Sequence, residues 1–128
     1  MAGGSGGTMI LVIEDNHTER TLLRKMLEAE GFHVCEAADG DEGIGLFKAA
    51  RPELVLCDLM MPRKNGFETI QEIRALAPDM PVVAISGFLF GVDHAAMREN
   101  LGVAALVEKP FRKAHLLEVV RQVMTVGR

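Results

Sequence analysis

Five short apolar runs, spaced by stretches of helical periodicity, constrain this chain most. The runs are MILVI (9–13), HVCEA (33–37), ELVLC (53–57), PVVAI (81–85) and AALV (104–107). They are rich in Val, Ile and Leu, and three are nearly continuous in apolar character, as strands covered on both faces should be. Between Glu19 and Glu30, the residues Leu22, Leu23, Met26 and Leu27 form one helical face, stopped by Gly31. From Phe67 to Ala77 the face is Phe67, Ile70, Ile73 and Leu76, ended by Pro78, and from Lys113 to Val126 it is Leu116, Val119, Val120 and Val123. Two segments are weaker helices: Asp41–Ala50, which carries Gly43 and Gly45, and the short polar Asp93–Asn100. Strands alternating with helices imply a parallel sheet covered on both faces, and right-handed crossovers reduce the topology to a doubly wound α/β sandwich. Such sheets place their chemistry at the carboxyl ends of the strands, where strand order reverses.

The chain has 128 residues, which fits one domain. Residues 1–8, MAGGSGGT, have no hydrophobic pattern and read as a flexible tail or cloning scar, which leaves residues 9–126 as the folded domain. No signal-peptide pattern opens the chain and no apolar run approaches membrane-spanning length, so no membrane association is expected and the location is read as cytoplasmic. Net charge is −4, with no basic tract and neither Trp nor Tyr, which argues against direct nucleic-acid binding. Cys35 and Cys57 lie inside apolar runs and read as buried, inert thiols. Two cysteines and four scattered histidines give no zinc spacing.

The strand ends carry the chemistry. The first run leads into Glu14-Asp15, the third into Asp58, the fourth into Ser86-Gly87 and the fifth into Glu108-Lys109-Pro110, while the second ends in what looks like ordinary loop, Ala37-Ala38-Asp39. Each carboxylate pair at ~4 Å would cost roughly 4 kcal/mol at an effective dielectric of 20, so three carboxylates in one crevice call for a cation. All-oxygen ligands suit Mg²⁺, which takes one or two carboxylates together with water and phosphate oxygens. Lys109 adds an amine and Ser86 a hydroxyl. Carboxylate, divalent cation, amine and hydroxyl together make a phosphoryl-transfer site in which a carboxylate attacks phosphorus. Taken singly, Asp58 reads as a cap or turn former, Glu14-Asp15 as part of a helix start, Ser86 as a satisfied polar residue and Lys109 as a surface amine. Their coincidence at four strand ends favours the site.

The motifs LVIED (11–15), LVLCDLMMPRKNG (54–66), AISG (84–87) and EKPF (108–111) resemble those of the receiver domain of two-component response regulators, in order and in spacing, over about residues 9–126. The resemblance implies a flavodoxin-like sheet of five parallel strands in the order 2-1-3-4-5 with five helices. It implies that Asp58 is the phosphoacceptor, served by a histidine kinase or phosphotransfer protein. Mg²⁺ would be held by Glu14, Asp15, Asp58 and the backbone carbonyl of Met60. Ser86 and Lys109 would contact the phosphoryl oxygens, and the Lys109–Pro110 bond would be cis. The domain would not be an enzyme beyond assisting its own phosphorylation and dephosphorylation. Its output would be a conformational shift read by a downstream protein on the face of the fourth helix, fifth strand and fifth helix.

The chain departs from the family pattern at Leu106, where the family carries an aromatic switch residue three positions before the lysine. Met60 and Phe88 are bulky, apolar and close in sequence to Asp58 and Ser86, so both are candidates to cover the phosphoryl group and slow its hydrolysis. The loop GFLFGVDH (87–94) carries Phe88, Leu89 and Phe90, to be packed inward or offered to a partner. Two other functions stand beside the leading one. One is a phosphorylation-independent, receiver-like interaction domain, suggested by Leu106. The other is a Mg²⁺-dependent phosphohydrolase, disfavoured because Met60 stands where such enzymes place a second acid.

Overall fold

The computed structural model of the chain describes residues 7–87, 89 and 91–126. Five strands and five helices alternate: β1 (Met9–Ile13), α1 (His17–Glu28), β2 (His33–Ala37), α2 (Gly40–Ala50), β3 (Leu54–Asp58), α3 (Gly66–Leu76), β4 (Val82–Ser86), α4 (His94–Leu101), β5 (Ala105–Glu108) and α5 (Lys113–Val126). The strands form one parallel sheet in the order β2-β1-β3-β4-β5, the order the family resemblance implied.

Strand parity sorts the apolar residues into two cores. Ile10, Val12, Leu54, Leu56, Val83 and Ile85 point to the side covered by α1 and α5, against Leu23, Leu27, Leu116 and Val120. Their neighbours Leu11, Ile13, Val55, Cys57, Val82 and Ala84 point to the other side, against Ile44 and Phe47 of α2 and Ile70 and Ile73 of α3. Successive side chains of a strand face opposite ways, so a strand buried on both faces must be apolar throughout. The same parity carries Glu14 and Asp58 to the α1/α5 side of the strand ends and Ser86 to the other.

The helix starts are built by capping. Asn16, Asp39, Asn65 and Asp93 each accept a hydrogen bond from the backbone N–H three residues on, satisfying a donor that the helix itself leaves open. Asn65 and Glu68 form a full capping box. Asp39, taken from sequence as loop, therefore starts α2.

Several elements differ from the sequence reading. The last three strands run one residue further toward the carboxyl end than their apolar runs, because Asp58 still pairs with Ile85 and Ser86 with Glu108. α1 starts at His17, behind its Asn16 cap, and not at Glu19. Leu22 and Leu76, assigned to buried helix faces, are half exposed, whereas Leu117 is buried. A helical stripe has edges that periodicity alone does not locate. Cys35 is only half-buried while Cys57 is fully buried, and both are free thiols. Thr8, the last residue of the glycine-rich leader, is buried and its carbonyl accepts the His33 N–H at 2.8 Å. α4 contributes no buried residue. Among the described residues no helix is long and apolar enough to cross a membrane.

Gly43 does more than weaken α2. A Cβ there would lie 2.6 Å from the Ile13 Cδ1, so the glycine lets the helix sit close to β1. Gly45, by contrast, is exposed and open around its Cα.

Candidate phosphoryl-transfer and metal site

The carboxyl ends of β1, β3 and β5 meet on the α1/α5 side of the sheet. Glu14 is buried beneath this edge, Asp58 ends β3 with 5% of its surface exposed, and Asp15 is exposed. One ligand oxygen from each of Glu14, Asp15 and Asp58 lies within 4.8 Å of the others. Lys109 reaches in from the β5–α5 loop. Its Nζ donates to Glu14 Oε1 at 2.9 Å and to Asp58 Oδ2 at 3.2 Å. It also pairs with Glu19 Oε1 of α1 at 2.7 Å. The other oxygen of Asp58, Oδ1, accepts the Met60 N–H at 3.1 Å.

Burial and charge pull the ionisations apart. Burial pushes the Glu14 carboxyl up to about 7, against the lowering influence of its hydrogen bonds from Lys109 and the Asn16 N–H. Burial works to lower the Lys109 ammonium, but its bonds to Glu19 and Glu14 and the charges of Glu14 and Asp58 hold it above the usual lysine range. The Cys57 thiol is pushed well above its ordinary value, chiefly by burial and further by the charges of Asp58 and Glu14, so it stays protonated and unreactive. One ammonium thus faces several carboxylates, and burial drives one of them, Glu14, toward protonation.

The donor set fits Mg²⁺. The ligand atoms are hard carboxylate oxygens within 4.8 Å of one another, close enough to share one small divalent ion that keeps some of its waters. The exposed Asp15 leaves the site open to water and to a phosphate oxygen.

The remaining expected site residues lie around this cluster. Ser86 is buried at the end of β4, and its carbonyl accepts the Lys109 N–H at 2.8 Å, which ties the β4 and β5 ends together. The Lys109–Pro110 peptide bond is cis. Leu106 is half-buried and packs on the α2/α3 side, against the core of that face. Met60 follows β3 and is half exposed. Phe88, named as a second cover residue, lies outside the described residues, as does Phe90, while Leu89 between them is buried.

Two residues of the site escaped the sequence reading. Arg20 donates from Nη1 to the Glu14 carbonyl at 2.8 Å and also pairs with Glu36 of β2, so it fastens the acidic turn to α1. Glu19 is the closest partner of Lys109. A charged pair in the first turn of the helix after an acidic dipeptide was the available signal for both, but charges in a first turn are common without such a role.

Residues 10–121 match the response regulator receiver domain family. The chain is 36% identical over 115 residues to a "Probable transcriptional regulator ycf27" of Porphyridium aerugineum, covering 90% of this chain and 47% of that protein. It is 32% identical over 126 residues to "Protein CcdB" of Bacillus subtilis, covering 91% of this chain and 98% of that protein. It thus spans about half the length of the first relative and nearly all of the second. Among solved structures, a CheY-like response regulator receiver domain protein of Methanospirillum hungatei superimposes with a TM-score of 0.86 at 25% identity, covering 94% of this chain and 95% of that one. The sheet order, the acidic cluster at its carboxyl edge and these likenesses agree: the chain belongs to the response regulator receiver domain family of two-component systems.

Proposed function

We propose that the domain accepts a phosphoryl group on Asp58 from a phosphohistidine of a kinase or phosphotransfer protein, and that the modified state changes its binding to a downstream protein. One observation carries this reading: Asp58 ends the central strand with one carboxylate oxygen on the Lys109 ammonium and the other on the Met60 N–H, within reach of Glu14 and Asp15. In the transfer, the histidine N–P bond breaks as an Asp58 O–P bond forms, and the imidazole is left to take a proton from solvent. Lys109 offers its positive charge to the phosphoryl oxygens, and Ser86, at the neighbouring strand end, offers a hydroxyl. Glu14, Asp15, Asp58 and the Met60 carbonyl would hold Mg²⁺. When bound, the ion supplies positive charge that offsets the phosphoryl oxygens and the acidic cluster.

The output follows from the same charges. Phosphorylation replaces the single charge of the Asp58 carboxylate with nearly two on a group of three acceptor oxygens beside Ser86 and Lys109, whose backbones are already hydrogen-bonded to each other. Both loops respond to it, and with them α4, β5 and α5. α4 has no fully buried residue and holds to the core only through the partly buried Met97 and Leu101, so the core restrains it weakly. The downstream partner would read this face, and the domain would act in the cytoplasm as a signalling module without turnover of its own.

The test is addition of beryllofluoride with Mg²⁺ to the full chain, read by ¹⁹F and amide NMR, with Asp58→Ala as control. An adduct that depends on Asp58, with shifts spreading to α4 and β5, supports the reading. No adduct at saturating Mg²⁺ refutes it in favour of a phosphorylation-independent interaction domain. Turnover of a phosphate ester by the purified protein would instead favour the hydrolase reading.

A further inference from the structure

Lys109 divides its ammonium among three carboxylates, and the nearest belongs to a residue outside the acidic cluster. Glu19 Oε1 lies 2.7 Å from Nζ, against 2.9 Å to Glu14 Oε1 and 3.2 Å to Asp58 Oδ2. Glu19 is placed by the α1 cap: its backbone N–H donates to Asn16 Oδ1 at 2.9 Å, one residue beyond the Glu14-Asp15 pair. The three acceptors differ in burial. The Glu19 side chain is 44% exposed, while those of Glu14 and Asp58 are 1% and 6% exposed. The ammonium hydrogen-bonds to Glu14 and Asp58 and forms an ion pair with Glu19, so three carboxylates share its one charge. A phosphoryl oxygen drawn to it competes with one of the three. Releasing Glu19 is the easiest, since water can hydrate its carboxylate and cannot reach the other two as well.

We propose that Glu19 is a positioning residue that acts through Lys109: it holds the ammonium toward the rim of the site while Asp58 is unmodified, and it competes with a phosphoryl group on Asp58 for that same ammonium. The inference rests on the phosphoacceptor reading. It goes beyond it by giving this chain a counter-ion that sets how readily the modified state forms. Glu19 acts in two opposite directions. In the unmodified domain it draws Lys109 away from the metal-binding carboxylates and so favours Mg²⁺. In the modified domain it withholds Lys109 from the phosphoryl group and adds a negative charge next to a dianion.

Removing its charge should therefore split two affinities. Glu19→Gln should weaken Mg²⁺ binding to the unmodified domain and tighten beryllofluoride binding at saturating Mg²⁺, each by roughly two- to fivefold, the range set by one half-exposed ion pair. The experiment titrates the full ¹⁵N-labelled chain first with Mg²⁺ and then with beryllofluoride, following amide shifts around Asp58. Glu28→Gln, which removes another α1 charge paired with Arg24, controls for net charge and should move neither affinity. Glu19→Asp keeps the charge on a shorter stem and should fall between wild type and Glu19→Gln. In a Lys109→Met background, Glu19→Gln should lose most of its effect on both ligands, because its partner is gone.

A merely structural role would lower both affinities together. The inference is overturned if Glu19→Gln leaves both unchanged, shifts both the same way, or acts equally in the Lys109→Met background. A wild-type chain that forms no beryllofluoride adduct overturns the phosphoacceptor reading and this inference with it. A wild-type adduct with unaltered Glu19→Gln affinities overturns this inference alone.

Discussion

Replacing Gly66 by Ala should damage both the fold and the site, because α3 begins against the backbone that carries Asp58. A Cβ at Gly66 would lie 2.5 Å from the Leu59 Cα and 2.9 Å from the Asp58 carbonyl carbon, and closer still to the Asp58 carbonyl oxygen. No flexible side chain can yield there, so either α3 or the end of β3 must move. The Gly66 N–H also donates to the Leu59 carbonyl at 3.0 Å, a bond that such a movement would strain. Overpacking that moves backbone falls at the upper end of its usual range, about 3 kcal/mol. For a chain of this length that corresponds to a fall in Tm of about 10 °C. Gly45→Ala is the matched control, since Gly45 is in a helix and nothing lies within 4 Å of its added Cβ. There the substitution should stabilise by about 0.5–1 kcal/mol through helix propensity. The chain has neither Trp nor Tyr, so the melts are followed by circular dichroism at 222 nm rather than by intrinsic fluorescence. Gly66→Ala should also weaken Mg²⁺ binding, measured calorimetrically, because the displaced backbone carries Asp58. A Gly66→Ala melt within about 2 °C of wild type, or a Gly45→Ala melt below it, would refute the reasoning from close approach.

The other expectations concern the charges. Glu14 has a folded-state pKa raised from 4.5 to about 7, so in EDTA its contribution to stability is fully present below about pH 4.5 and is lost as pH rises through 7. Melts between pH 4.5 and 8 should show this decline in wild type and not in Glu14→Gln, and Mg²⁺ affinity should rise across the same window as the carboxyl gives up its proton. Lys109→Ala strips the counter-ion from two buried carboxylates and should destabilise the metal-free domain by about 3 kcal/mol in urea unfolding, with much of the loss recovered in Mg²⁺. If Met60 shields the phosphoryl group from water, Met60→Asn should shorten the lifetime of phospho-Asp58, followed as loss of radiolabel.

The sequence was most legible where one physical rule acts along the chain. Apolar runs located every strand, most plainly β1, β3 and β4 inside the sheet, because a strand covered on both faces leaves no place for polar side chains. The same runs ended one residue early at Asp58, Ser86 and Glu108, since hydrogen bonding between strands continues regardless of side-chain polarity. The strand-end rule brought Glu14, Asp15, Asp58 and Lys109 to one edge, and the structure places them there. Helical periodicity gave the faces of α1 and α3 but included Leu22 and Leu76, which lie at stripe edges the sheet does not reach.

By itself, then, the sequence determined the alternating architecture, the edge that carries the chemistry and the residue types available there, all of which follow from local periodicity and chain-order rules. Only the tertiary structure decided which charges meet. Glu19 and Lys109 are 90 positions apart, and their contact depends on how α1 lies beside the β5–α5 loop. Burial is likewise a property of the assembled layers, and it makes the carboxyl of Glu14 hold its proton to about pH 7 while Asp15, the next residue, stands in solvent. Coulomb energies and desolvation depend on distance and exposure in space, and neither is written in the spacing of residues along a chain.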